Sequence, residues 1–132
     1  MILVDTNVLM DVFGADPKWS QWSIARLDEW SRRGQLFVNP VIYAELGAGF
    51  ASVELLNAVI EDAALTFEEM PRDALFLAAK AHVLYRQRGG TRHGVLADFF
   101  VGAHAAVRRW PILTRDATRY RGYFPTVDLV TP

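Results

Sequence analysis

The sequence predicts an α/β domain with a parallel sheet covered by helices on both faces, and two observations carry that prediction. Short unbroken apolar runs alternate with longer stretches of helical periodicity. That is the pattern of strands buried on both faces, whereas a half-exposed strand alternates apolar with polar. The chain also has 132 residues, of which 52% are hydrophobic and 22% charged. This fits one compact domain, residues 1–132, and leaves no room for two. Eight Phe, four Tyr and four Trp supply a core and exclude a disordered or low-complexity chain. With no Cys there is no disulfide scaffold, no Cys-ligated metal and no thiol nucleophile, so any metal must sit on oxygen or imidazole.

Taken in order, Ile2-Leu3-Val4-Asp5 reads as a buried strand, and Thr6-Asn7 can cap the helix that Val8, Leu9, Val12 and Phe13 suggest. Gly14 to Pro17 breaks that helix, and a second spans roughly residues 18–32 and stops at Gly34. Leu36-Phe37-Val38 is the next strand, after which Asn39-Pro40 opens a helix through Ala48. Another helix runs from Ser52 to Asp62, and Ala64 to Phe67 is a third strand. Pro71 starts a long helix to Arg86 whose Leu75, Ala78, Ala81, Leu84 and Tyr85 line one face. Arg88 to Gly94 is a loop, Leu96 to Arg109 a helix ended by Pro111, and Ile112-Leu113-Thr114 a fourth strand followed by an Arg115-Asp116 turn. Val127 to Val130 is a weak fifth strand.

No stretch approaches the ~20 apolar residues of a membrane span, and the MILVD start lacks the basic segment of a secretory signal, so a soluble cytoplasmic protein is expected. The net charge of −1 hides an asymmetry: residues 1–69 carry −7 and residues 70–132 carry +6. Twelve of the 14 basic residues are Arg, whose planar fork matches phosphate, so the second half is suited to face a polyanion.

Four acids carry the chemistry. Asp5 ends the first strand and Asp116 lies just past the fourth, so in a parallel sheet both face the same edge crevice. Asp98 sits in the first turn of its helix, with Gly102 and Ala105 leaving space beside it, and Glu45 lies in the helix after the second strand. Singly, these acids suit helix caps, turns or a polar face. Together, four carboxylates in one crevice repel each other and need a cation, for which Mg²⁺ or Mn²⁺ are the oxygen-loving candidates. The chemistry such a site supports is phosphoryl transfer.

LVDTNVLMDVF at the start, the helical Glu45, LADFFVGAHA around Asp98 and LTRDATRYRGYFPTVDLVTP at the end closely resemble the PIN domain, in particular the VapC-type toxins of bacterial toxin-antitoxin pairs. The resemblance covers essentially the whole chain. It implies a three-layer α/β/α fold with a five-stranded, mainly parallel sheet, and a Mg²⁺- or Mn²⁺-dependent endoribonuclease. The family's metal-site acids carry over onto Asp5, Glu45, Asp98 and Asp116, and its polar supporting positions onto Thr6, Asn7 and Thr114. It further implies RNA as substrate, a homodimer, and a cognate antitoxin that silences the activity.

Arg86, Arg88, Arg92, Arg108, Arg109, Arg115, Arg119 and Arg121 are candidates for RNA phosphate contacts, and Arg115 beside Asp116 is the best of them. Trp19, Trp22, Arg26 and Trp30 form a helical stripe suited either to the core or to a subunit or antitoxin interface. His82, His93 and His104 are expected at the surface, His104 being off Asp98's helical face. An aspartyl-phosphate phosphatase would need a second Asp where Asn7 stands, and a phosphoacceptor signalling domain would need a lysine near the last strand, whereas the lysines are Lys18 and Lys80. A non-catalytic RNA- or protein-binding module on the same fold is the remaining alternative.

Overall fold

The computed structural model describes all 132 residues. The chain runs β1 (Ile2–Val4), α1 (Thr6–Phe13), α2 (Ser20–Ser31), β2 (Leu36–Val38), α3 (Pro40–Gly47), α4 (Val53–Asp62), β3 (Leu65–Phe67), α5 (Arg72–Gln87), α6 (Leu96–Arg108), β4 (Ile112–Leu113), α7 (Thr118–Tyr123) and β5 (Leu129–Val130). The strands form one sheet in the order β3-β2-β1-β4-β5, and all four pairings are parallel. Every residue of β1 is fully buried, as are both residues of β4, which is why these runs show no polar alternation.

The strand order sets the position of the site. From β1 the chain winds outward through β2 to β3, then returns to the other side of β1 for β4 and β5. The reversal leaves a crevice at the carboxyl ends of β1 and β4, the place where open α/β sheets hold their ligands. The register puts Leu3 against Ile112 and Val4 against Leu113, and the Asp5 amide donates to the Leu113 carbonyl at 2.9 Å. Asp5 and Thr114 therefore leave the sheet side by side.

Local chemistry explains most boundaries. Asp5 caps α1 by accepting from the Thr6 amide, Asn39 caps α3 through the Ile42 amide with Pro40 in the first helical position, and Ser52 caps α4. Asp16 accepts from the Lys18 and Trp19 amides, and that turn delays α2 to Ser20. Arg109 adopts the left-handed conformation (φ 58°) and ends α6 one residue earlier than expected.

Two expectations need correction. The face of α5 that packs inward is Ala74, Ala78, Ala81 and Tyr85, whereas Leu75 and Leu84 are 42% and 38% exposed. Small side chains let α5 lie close against α6, and that close approach pushes the neighbouring leucines to the flank. The segment after Asp116 contains a helix, α7, where the sequence analysis sees only a turn before the fifth strand. Six residues are too few to show helical periodicity.

Candidate active site

Of the four acids Asp5, Glu45, Asp98 and Asp116, Asp5 is the most enclosed, only 6% exposed. Its Oδ1 accepts from the Thr6 amide at 2.8 Å, and its Oδ2 accepts from the Thr114 hydroxyl and the Tyr120 hydroxyl, each at 2.8 Å. The Thr114 oxygen accepts in turn from the Asn7 side-chain amide at 3.2 Å and from the Asp116 backbone amide at 3.1 Å. Asn7 closes the circuit, its Oδ1 accepting from the Arg115 amide at 3.0 Å. The end of β1 and the turn after β4 are thereby tied together by side chains as well as by the sheet. Thr6 reaches the other way, its hydroxyl donating to Glu45 Oε1 at 2.7 Å, which anchors an otherwise exposed carboxylate of α3 to the head of α1.

Asp98 enters from the first turn of α6 and is part-exposed. Burial is the main cause pushing its carboxyl up to about 6, and the charges of Asp5, Asp116 and Glu45 add to the rise while Arg119 opposes it. Burial also raises the Asp5 carboxyl, against the hydrogen bonds from Tyr120, Thr114 and Thr6 that favour its charge. The Tyr120 hydroxyl is held well above its ordinary value by burial beside Asp5, so it remains a donor. Asp116 lies at the rim, its Oδ1 accepting from the Thr118 amide at 3.2 Å.

Four acids from four separate segments thus share one electrostatic neighbourhood. No three His, Asp or Glu side chains stand close enough together to form a ready-made metal cage. An all-oxygen donor set of mutually repelling carboxylates at this looser spacing still fits a hard divalent cation, because Mg²⁺ keeps much of its water and takes only one or two carboxylates directly. Asp5 and Asp98, the two acids raised by burial and mutual charge, are the residues that would hold it.

Two further groups flank the acids. Asp11 of α1, 2% exposed, pairs bidentately with Arg115 at 2.7 and 2.9 Å and also accepts from the Ser23 hydroxyl at 2.7 Å. Trp19 lies with its ring 5.1 Å from the Arg115 guanidinium, so one member of the tryptophan stripe serves the site's rim. Trp22 and Trp30 pack partly buried against the core. On the other flank Arg119 of α7 approaches Asp98 Oδ2 at 3.7 Å.

The sequence analysis places His104 at the surface, and the structure corrects this: it is fully buried. Its Nδ1 faces the Asn39 amide nitrogen at 3.2 Å and its Nε2 faces Glu68 at 2.9 Å. Asn39 Oδ1 is occupied by its capping bond, so the amide must donate to Nδ1 and the imidazole must carry its proton on Nε2. Burial lowers the His104 pKa, in keeping with that neutral form. The space at Gly102 is not open beside Asp98 either, since a Cβ there would overlap the Phe124 ring that docks α7 on α6. Tyr120 and Asp11 are the site residues missing from the sequence analysis. Tyr120 lies in the unforeseen helix, and Asp11 reads as an ordinary helix-surface acid until its distant partner is seen.

The all-parallel sheet with carboxylates gathered at its switch point defines an α/β domain of the acid-centred kind. The PIN domain model matches residues 2–124, and the chain belongs to that family. Compared by sequence with curated proteins, it has no match. Its fold is shared with VapBC2 from Rickettsia felis bound to a DNA fragment from their promoter, at a TM-score of 0.77 and 15% identity over 100% of this chain and 99% of that one. DNA-bound VapBC from Salmonella typhimurium gives 0.73 and 16% over 98% and 96%, and FitAcB from Neisseria gonorrhoeae 0.70 and 19% over 100% and 98%. No helix is long and apolar enough to cross a membrane.

Proposed function

We propose that this chain is a metal-dependent endoribonuclease and the toxin half of a toxin-antitoxin pair, acting in the cytoplasm. The observation that carries the reading is the electrostatic convergence on Asp98, whose carboxyl feels Asp5, Asp116 and Glu45 from three other segments. A bound Mg²⁺ or Mn²⁺ ion would lower the pKa of a water and offset charge on a phosphodiester. Asp5 and Asp98 would hold the ion directly, while Glu45 and Asp116 at the rim would hold its water. Thr6 orients Glu45, and Asn7 and Thr114 fix the Asp5 carboxylate. Arg115 keeps three N–H groups beyond the two that bind Asp11, so it remains able to meet a phosphate at the rim.

The solved structures that share the fold include a toxin-antitoxin complex from Klebsiella pneumoniae, with a TM-score of 0.69. By analogy we assign a cognate antitoxin to the cleft of about 450 Å³ lined by Met10, Phe13, Leu46 and Phe50 with Glu45 at its edge. Its apolar walls and acidic edge suit an amphipathic segment bearing a basic residue. The outer face of α5, with Phe76, Val83 and Leu84 exposed, suits a second copy of the chain.

Attack by water in line makes no use of the RNA 2′-hydroxyl, so the expected products carry 5′-phosphate and 3′-hydroxyl ends. Incubating RNA with the purified protein, with EDTA and then with Mg²⁺, Mn²⁺ or Ca²⁺ restored, tests the reading by end-labelling the fragments. Cleavage should vanish in EDTA and return with Mg²⁺ or Mn²⁺ but not Ca²⁺. Cyclic 2′,3′-phosphate ends, or cutting that persists in EDTA, would overturn it, and no cutting under any condition would favour a binding module.

A further inference from the structure

The two arginines that flank the acid crevice are held in opposite ways. Arg115 commits two N–H groups of its fork to Asp11 in a short bidentate pair. Arg119 is more enclosed, its side chain 17% exposed against 27% for Arg115, yet its buried Nε has no hydrogen-bond partner. Its one charged neighbour is Asp98 Oδ2 at 3.7 Å, too far for a hydrogen bond. What fixes the guanidinium is stacking: it lies 5.3 Å from the centre of the Tyr85 ring. Tyr85 is itself buried, and its hydroxyl accepts from the Arg92 amide at 3.1 Å, so the plate beneath the arginine does not move freely.

A part-buried guanidinium with no hydrogen-bonded acceptor in the chain is costly and calls for one from outside it, whether water, an ion or a ligand. Here the ligand must be an anion, since the group is a fixed cation, and a planar fork prefers paired oxygens such as those of a phosphodiester. The mouth of the crevice beside Asp98 is where that anion would lie. We propose that Arg119 contacts the substrate directly, taking the non-bridging oxygens of the phosphodiester that lies beside Asp98. The proposal rests on the nuclease reading above, but it concerns binding and can be measured without cleavage.

The test compares wild type, R119Q and R119K for binding fluorescein-labelled oligouridine RNA in EDTA, across a salt series, with a DNA oligomer of matching length as a second probe. Binding of Mn²⁺ alone is measured by calorimetry. For R119Q the expected result is roughly tenfold weaker binding of RNA. Its salt slope should be shallower by about 0.7, the loss of one single-strand phosphate contact. DNA binding should weaken in parallel, because the contact is to the backbone, and Mn²⁺ affinity should be kept or improved because Asp98 loses a competing cation. R119K should restore the salt slope but not the full affinity, since lysine keeps the charge and lacks the fork. Wild-type RNA affinity and salt slope in R119Q would overturn the proposal. So would loss of Mn²⁺ affinity with RNA binding intact, which would make Arg119 a positioning residue for Asp98. Should R119Q fail to fold, R119K decides, and full RNA affinity in that variant refutes the bidentate contact. If these binding signatures appear while the wild type cuts no RNA in Mn²⁺, the nuclease reading fails and the Arg119 contact stands.

Discussion

Breaking the Asp11–Arg115 pair should be costly in an unequal way, depending on which partner is removed. The Asp11 side chain is 3% exposed and that of Arg115 27%. Replacing Arg115 with Ala leaves a buried carboxylate with only the Ser23 hydroxyl, and stranding one member of a buried pair costs about 3–5 kcal/mol. Replacing Asp11 with Ala leaves the guanidinium at the rim, where it turns to water and keeps its contact with Trp19, so about 1–2 kcal/mol is expected after allowing for solvent screening. At this chain length a kilocalorie moves the midpoint by about 3–4 °C, so Arg115→Ala should melt about 9–20 °C below wild type and Asp11→Ala about 3–8 °C below. The double variant should resemble Asp11→Ala, so the coupling between the two sites equals the cost of Arg115→Ala, about 3–5 kcal/mol. Thermal and urea melts by circular dichroism at neutral pH give all four corners of the cycle. Additive losses, or a smaller loss in Arg115→Ala than in Asp11→Ala, would show that the pair is not the stabilising unit described here.

Asp98 sets a pH dependence on the metal-free fold. Because its folded carboxyl stands at about 6 against an ordinary 3.8, the folded chain holds a proton that the unfolded chain releases, and stability from this group falls as pH rises from about 4 to 6. In EDTA, Asp98→Asn should therefore melt above wild type at about pH 8, lose roughly half of that gap by about pH 5 and converge with wild type below about pH 4; a gap independent of pH would refute the raised carboxyl. Tyr120→Phe removes one donor from a buried carboxylate and should cost about 1–3 kcal/mol in thermal melts at neutral pH, with no loss expected if the hydroxyl is merely packed. Asp5→Asn, Asp98→Asn and Asp116→Asn should each abolish cutting of RNA while preserving the folded spectrum, and two of them active at wild-type rate would remove the metal-site reading.

The strands and the chain order of the acids were legible because their signals are local. Ile2-Leu3-Val4 and Ile112-Leu113 are unbroken apolar runs, and an acid following a strand in a parallel sheet has one place to go. What escaped depends on pairs far apart in the chain. Asp11 and Arg115 are separated by 104 residues, and neither looks unusual alone. His104 reads as a polar residue on a helix of small side chains, and only the fold brings Asn39 and Glu68 to its two nitrogens. On α5 the reading was right for Ala78, Ala81 and Tyr85 and wrong for Leu75 and Leu84, because hydrophobicity favours the leucines whereas close helix packing favours small residues such as Ala74.

The hydrogen bonds that fix Asp5 reach across most of the chain, spanning 109 residues to Thr114 and 115 to Tyr120. During synthesis the first strand leaves the ribosome long before its neighbour β4, which supplies the other wall of the crevice. Until then Asp5 has neither its strand partner nor its two hydroxyl donors, and Asp116 and Arg119 are not yet made. A nascent chain therefore carries its first acid as an unshaped end, and the crevice closes only when the last segment folds back. On the nuclease reading proposed above, this order of assembly would keep the growing polypeptide inert beside the RNA that produces it.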